Sequence, residues 1–460
     1  MIEGLKPYAE YKESGLPWLG SVPAHWVTKR GKSYMTAIDR RSQAGKEELL
    51  TVSSARGVIP RNTAKVTMFK AESYAGYKLC WPGDLVINSL WAWGGGLGVT
   101  QHHGIISTAY SVYRPRPSAQ MNPRFLHELV RSSAFHWELQ VRSKGVWISR
   151  LQLTDTSFLD APIPLPPPDE QAAIVRFLDH ANRKIDGFIR AKRKLIGLLN
   201  EQKQAIIHRA VTRGLHPDVP LKPSGIPWLG DIPKHWEMRK LRQILTRKTE
   251  RNQPNLPLLS VVREKGVIKR DTENFEDNHN FIPDDLSNYK VVRVGQFAMN
   301  KMKAWQGSFG VSQFEGIVSP AYFVFDLHHV GGAFFHTAIR SKAYVPSFTR
   351  ASDGVRVGQW DLAESRMRDT PFFVPPSDEQ QAIVEYVAKA TETANTAIAR
   401  TEREIALMQE YRTRLTADLV TGKLDVREAA RHLPAPPAES EPTPASSDPE
   451  LDEAQPEDEA

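Results

Sequence analysis

The apolar positions of this chain follow two periods, and the longest stretches follow the helical one. Ile174, Leu178, Ala181, Ile185, Ile189, Ile196, Leu199 and Ile206 fall at steps of 4, 3, 4, 4, 7, 3 and 7. Ile383, Val387, Ala390, Ala394, Ile398, Ile405, Met408 and Leu415 repeat those steps 209 residues later. Charges such as Arg190, Lys192, Lys194, Arg400 and Glu402 lie on other faces, so each stretch reads as a helix with one thin, heptad-like apolar seam. At 1.5 Å per residue, Ile174–Ile206 would run about 50 Å. So long a helix with so narrow a seam needs a partner, and the matching helix of the other half is the one expected. Ser377-Asp378-Glu379-Gln380 predicts a reciprocal capping box at the second helix start. The first has Pro168 at the serine position, so Asp169 is expected to cap it.

Residues 14–165 look different. Short β-type runs (Leu85–Ile87, Gly104–Tyr113) alternate with turns such as Gly94–Gly96, which predicts a compact domain with a substantial sheet.

This arrangement is written twice. SGLPWLGSVPAHW (14–26) returns as SGIPWLGDIPKHW (224–236), and LLTVSSARGVIPR (49–61) as LLSVVREKGVIKR (258–270). Tyr77, Gly83, Asn88, Trp93, Gly98, Val99, Gly104, Ser107, Ala109 and Tyr110 recur 212 residues on, and PPPDEQAAIV (166–175) returns as PPSDEQQAIV (375–384). The register drifts by only three residues, so both halves hold the same elements in the same order. A repeat of this length is a folded module plus a connector, because solenoid units run about 20–50 residues.

Charge sharpens the picture when it is split by region. Pro434–Ala460 carries nine acidic residues and no Lys or Arg, so residues 1–433 hold 60 basic against 44 acidic residues, a net +16, where the whole chain has +7. The Pro- and Ala-rich tail is too polar to bury and is expected to be disordered. A basic body suits a polyanion, since Lys and Arg release condensed counterions from phosphates; a merely soluble basic protein is the alternative. The single cysteine, Cys80, the absence of a signal-like N-terminus and the lack of a long apolar run predict a soluble, cytoplasmic protein with no membrane segment.

The chemistry of catalysis is not legible. Gly31-Lys32-Ser33 lacks the upstream glycine of a phosphate loop, Trp26 standing there, and Gly94–Gly98 lacks dinucleotide-site spacing. Asn122-Pro123-Arg124-Phe125 lacks the second proline of an adenine methyltransferase motif. The pairs His102-His103 and His328-His329 diverge instead of converging on a metal, and Glu201-Gln202-Lys203 sits within a helix with no companion strand motif.

Two modules that each open with SG-[LI]-PW-LG-x-[VI]-P-x-HW and close with PPxDEQ and a long helix resemble the specificity subunit of type I restriction–modification systems, over about residues 14–424. The resemblance implies an α+β fold: two pseudo-symmetric mixed α/β target-recognition domains separated by two long helices pairing as an antiparallel coiled coil. It places target-recognition domain 1 at 1–168, a central helical spacer at 169–214, domain 2 at 215–377 and a C-terminal helical spacer at 378–424; the acidic Pro-rich tail, 425–460, departs from the family pattern and is expected to be disordered. It further implies that each domain reads one half of a bipartite site in double-stranded DNA, and that the helices set the half-site separation. The partners would be two methyltransferase subunits and, in the full complex, restriction/translocase subunits. S-adenosylmethionine, ATP and Mg would belong to those partners, with no cofactor, metal or catalysis in this chain. The rivals are a nuclease or methyltransferase with an unrecognised site, and a free-standing tandem DNA-binding regulator.

Positions shared by the halves read as framework: Trp18, Trp26, Trp228 and Trp236 as packing residues, Trp93 and Trp305 as loop anchors or DNA contacts. Positions that differ in equivalent loops are the better readers, because the halves must read different bases. The candidates for DNA contact are Arg56, Arg61, Trp91, Trp93, Arg142, Lys144 and Trp147 in the first half, and Lys265, Lys269, Lys301, Lys303 and Arg356 in the second. Their cations can donate to guanine or phosphate; ordinary surface charge is the alternative for each.

Overall fold

The computed structural model describes residues 5–64, 73–145, 151–270, 282–283, 285–354 and 360–434. Trp147, Arg356 and the acidic segment from residue 435 onward lie outside them. The chain divides into two compact units, residues 1–191 with 403–460, and residues 192–402.

In the first unit a four-stranded antiparallel sheet has the order Met35–Ala37, Tyr110–Pro115, Leu85–Asn88, Leu97–Val99. Leu85-Val86-Ile87 is apolar at successive positions because both faces of this sheet are covered. Leu85 and Ile87 join the main core with Trp26, Phe125 and Phe158, whereas Val86 joins a smaller core with Leu50, Val58 and Cys80. Burial pushes the Cys80 thiol up to about 12, so it behaves as a small apolar side chain. Beside the sheet stand the hairpin Leu50–Ser53/Gly57–Pro60 and the pair Lys78–Cys80/Gly104–Ile106. Val27–Arg30 pairs with Pro162–Leu165, bringing the start of the module to its end.

The second unit repeats this arrangement. Its sheet runs Leu245–Lys248, Tyr322–Leu327, Phe297–Asn300, Phe309–Val311. The register is preserved: Tyr110 lies opposite Asn88, and Tyr322 opposite Asn300. The hairpin Leu259–Val262/Gly266–Lys269 and the pairing of Glu237–Lys240 with Pro371–Val374 complete the copy. Phe297 and Met299 enter the main core while Ala298 faces a smaller one, as in the first unit.

The two long helices are Pro168–Arg213 and Ser377–Val420. In the first unit, Ile174, Phe177, Leu178 and Ala181 near the start of one share a core with Leu415, Leu419 and Val420 at the end of the other, and Arg412 pairs with Asp186. In the second unit, Ala210 and Val211 share a core with Ile383 and Val387. Start meets end in each, so within each unit the two helix segments run antiparallel. The seam is best buried near the module cores; Ile196, Leu199, Ile405 and Met408 are only half-buried.

Three expectations change. The first helix starts at Pro168, whose missing N–H suits a first helical position, and Asp169 lies within the first turn. Gln380 closes no capping box with Ser377: its amide oxygen accepts the Gly331 N–H at 2.8 Å, and its nitrogen donates to the Pro375 carbonyl at 2.8 Å. Gln171 does the same with Asn122 N–H (2.7 Å) and the Pro166 carbonyl (2.9 Å). The segment from 425 was expected to be disordered, yet residues 425–434 are described and ordered. Val426 and Ala430 are buried in or beside the main core of the first unit, with a short helix at Arg427–Arg431.

Candidate nucleic-acid interface

In each unit, loops at one end of the four-stranded sheet are tied to one another. In the first unit the Leu153 N–H donates to the Ser89 carbonyl at 2.9 Å, joining the segment after Lys144 to the loop that carries Trp91 and Trp93. Lys144 and Gln152 bridge the base of that segment. Asp155 braces the same corner, accepting from Ser111 (2.6 Å) and Tyr113 (2.7 Å), while Ser111 lies 3.1 Å from the Ser89 hydroxyl. Burial pushes the Tyr113 phenol well above its ordinary range, so it stays a donor. In the second unit the Leu362 N–H donates to the Lys301 carbonyl (3.2 Å), and the Lys301 ammonium pairs with Asp361 (2.9 Å).

The tip of the hairpin lies beside this loop. Arg131 donates to the Leu97 carbonyl, on the strand that leaves the Trp91 loop, and to the turn carbonyls of Ser54 and Ala55. Arg56, Trp91, Trp93 and Lys144 therefore come from segments held together, and Lys265, Lys301 and Lys303 from their counterparts. Arg61 and Lys269 do not join them: they sit at the far end of the hairpin, and the Lys269 ammonium rests 5.5 Å from the Phe314 ring centre. The structure does not place Trp147 or Arg356 among its described residues.

The candidates differ in how committed they already are. Arg142 is held by Glu138 (2.5 Å) and also donates to the Ser157 carbonyl, so it supports its helix. Arg56 is half-buried and donates to the Thr63 carbonyl at 3.1 Å. Lys144, Lys265 and Lys303 are exposed.

The aromatic loop shows how the halves diverge. Trp91 and Trp93 pack at a tilt of 60° with ring centres 4.4 Å apart, and Trp93 donates to the Leu90 carbonyl. A Cβ on Gly94 would stand 2.4 Å from the Trp91 ring, so glycine is what lets the indole lie over the turn. In the second unit Lys303 replaces Trp91, Gln306 replaces Gly94, and Trp305 packs instead against Trp360, tilted by 46° with ring centres 5.1 Å apart. The shared tryptophan anchors both loops, and its neighbour sets the exposed chemistry.

Residue-type reasoning missed Arg131, Arg340, His127 and His336. The signal was present, since His-x-x-x-Arg-Ser at 127–132 returns at 336–341. Among the described residues, no group of three or more His, Cys, Asp or Glu side chains is placed to hold a metal, and no helix is long and apolar enough to cross a membrane.

A duplicated α/β module with two long helices shared between the copies is the architecture these observations define. No protein-family profile matches the sequence, and no curated protein matches it. Among solved structures, the chain is similar to one described under complex assembly and conformational transition of the type I restriction–modification system, with 15% identity, a TM-score of 0.57, and 87% of this chain and 98% of that chain covered. It also matches the HsdS subunit from Thermoanaerobacter tengcongensis (16% identity, TM-score 0.39, 87% and 96% covered). A third match is the type I restriction–modification S subunit from M. genitalium (10%, 0.32, 86% and 96%). The first likeness is the one that carries the fold: the chain has the fold of a type I restriction–modification component, as its repeated motifs led one to expect.

Proposed function

We propose that this chain is the DNA-specificity subunit of a type I restriction–modification complex, acting in the cytoplasm and without catalysis of its own. The observation that carries the reading is the duplication itself. Both units keep one framework and register, while the loop positions change from Trp91 to Lys303 and from Ser54-Ala55-Arg56 to Arg263-Glu264-Lys265. A framework kept twice with different loop side chains suits a reader of two unlike half-sites. Arg56, Trp91, Trp93, Lys144 and Trp147 would serve one half-site, and Lys265, Lys301, Lys303 and Arg356 the other. Phosphate neutralisation by the +16 body would supply sequence-independent affinity, to which base contacts add about 1–3 kcal/mol each. Methyl transfer, translocation and cleavage would belong to partner subunits.

The test is recovery of the tagged chain from its host, followed by mapping of methylated bases with and without its gene. A co-purifying methyltransferase and a bipartite methylated motif that disappears with the gene are expected. Turnover by the purified chain alone, or regulation of transcription with no methyltransferase partner, would overturn it.

A further inference from the structure

Each unit has an arginine that grips main chain at the place where the two units differ in side chain. Arg131, last residue of the helix Pro123–Arg131, donates through Nη2 to the carbonyls of Ser54 (2.6 Å) and Ala55 (2.9 Å), and through Nη1 to that of Leu97 (2.7 Å). Arg340, directly after the helix Gly332–Ile339, donates through Nη2 to Arg263 (2.9 Å) and Glu264 (2.7 Å), and through Nη1 to Phe309 (2.7 Å). These acceptors are all backbone carbonyls.

One helical turn earlier, His127 Nδ1 accepts the Val99 N–H at 3.2 Å, and His336 Nδ1 accepts that of Val311 at 3.1 Å. A ring nitrogen that accepts carries no proton, so arginine supplies the charge of each clamp. The turns end at Gly57 (φ +75°) and Gly266 (φ +74°), where a Cβ would stand 2.9 Å from His127 Cε1 and 2.8 Å from Arg340 Nη1. The hairpin tip is thus seated against a His–Arg pair in both copies.

We infer that Arg131 and Arg340 are positioning residues that fix two specificity turns, residues 53–57 and 262–266, whose side chains at 54–56 and 263–265 discriminate bases in their respective half-sites. This rests on the DNA-recognition reading above. A grip made only on main chain is blind to side chains, so the turn's path stays constant while its chemistry changes. The chemistry does change: Ser54, Ala55, Arg263, Glu264 and Lys265 are all exposed. Base readout tolerates placement errors of only about 0.5 Å, and the tip of a short hairpin holds such a position only if something pins it. A clamp that merely buttressed the fold would need no unlike, exposed polar tips.

The test uses the full chain in the assembly it forms with its methyltransferase subunits. Binding is measured to the methylated target duplex, to single-base variants across both half-sites, and to an unrelated duplex. The transplant Ser54→Arg/Ala55→Glu/Arg56→Lys leaves net charge unchanged and is expected to alter base preference about ten-fold at one or more positions of a single half-site. Arg131→Lys, which keeps the charge but loses the planar fork, is expected to lower discrimination about ten-fold at that same half-site. Affinity for the unrelated duplex should stay within about two-fold. Arg340→Lys should do the same at the other half-site.

Equal loss of specific and unrelated binding, or no change in either, would overturn the positioning role. If Arg131→Lys does not fold, the transplant decides alone, because it leaves the clamp untouched: Ser54 and Ala55 are exposed, and Arg56→Lys keeps a cation that can still donate to the Thr63 carbonyl. A specific wild type whose transplant keeps every preference sinks this inference and spares the parent reading. A wild type with no preferred duplex sinks both.

Discussion

The Trp26 indole donates to the Glu170 carboxylate at 2.8 Å across 144 residues of sequence. Glu170 also accepts from the Tyr8 hydroxyl and lies 2.8 Å from His25 Nε2; burial and that carboxylate raise the Tyr8 phenol far above its ordinary range. In the second unit Trp236 donates to Glu379 at 3.1 Å, and His235 Nε2 lies 2.7 Å from it. The P-x-H-W that opens each module is thus fastened to the D-E-Q that starts its helix. Replacing Glu170 by Gln keeps the shape but leaves three donors facing a weaker acceptor that also brings an N–H. Denaturant titration should show a loss of about 1–3 kcal/mol from the first unit. The Glu379→Gln loss should be smaller, because that side chain is 16% exposed against 2% for Glu170.

Acid should loosen both clamps. Burial, reinforced by Arg131 and Arg124, holds His127 down to about 3, and burial with Arg340 holds His336 down to about 4. Unfolded histidine gains its proton near 6.5, so unfolding takes up protons below that pH. The contribution is fully present above about 6.5 and is lost as pH falls toward 4 for His336 and toward 3 for His127. Unfolding free energy measured between pH 4 and 7 should fall with a limiting slope of about 1.4 kcal/mol per pH unit per histidine. His127→Gln, which still offers an acceptor to Val99, should remove one such increment.

Gly57→Ala and Gly95→Ala separate strain from collision. Both glycines have positive φ, +75° and +82°, but a Cβ on Gly95 meets nothing within 4 Å, whereas one on Gly57 meets His127. Gly95→Ala should cost about 1 kcal/mol, and Gly57→Ala visibly more, in thermal melts.

Truncation should separate the contribution of residues 425–434 from that of the acidic segment after them. A chain ending at Pro434 should melt with the full-length protein but bind unrelated DNA more tightly, its net charge rising to +16. A chain ending at Leu424 loses the buried Val426 and Ala430 and should be destabilised by about 2 kcal/mol or more.

Seven residues inserted in both long helices, after Ala191 and after Glu402, add about 10.5 Å of helix. At 3.4 Å per base pair, the methylated motif should keep its bases while its spacer grows by about three base pairs.

The duplication, the long helices and the framework tryptophans were all legible in the sequence, because each left a spacing that recurred. The partner of Glu170 was not, because a carboxylate at a helix start already had a local explanation in the helix dipole. The clamps were hidden for a different reason. Arg131 and Arg340 bind carbonyl oxygens, and a carbonyl is offered by every residue, so nothing in Ser54-Ala55 or Arg263-Glu264 announces an acceptor. Gln380 followed the local capping rule on paper, yet the loop at Gly331 claimed its side chain.

Because Leu415, Leu419, Val420 and Val426 help build the main core of the first unit, that unit is closed by a segment translated after the whole of the second. The second unit, contiguous over residues 192–402, is complete on the ribosome while the first still waits with Ile174 and Phe177 uncovered. Of the two modules, the one begun first is therefore finished second, and a ribosome that stalls between residues 402 and 426 would spoil it selectively.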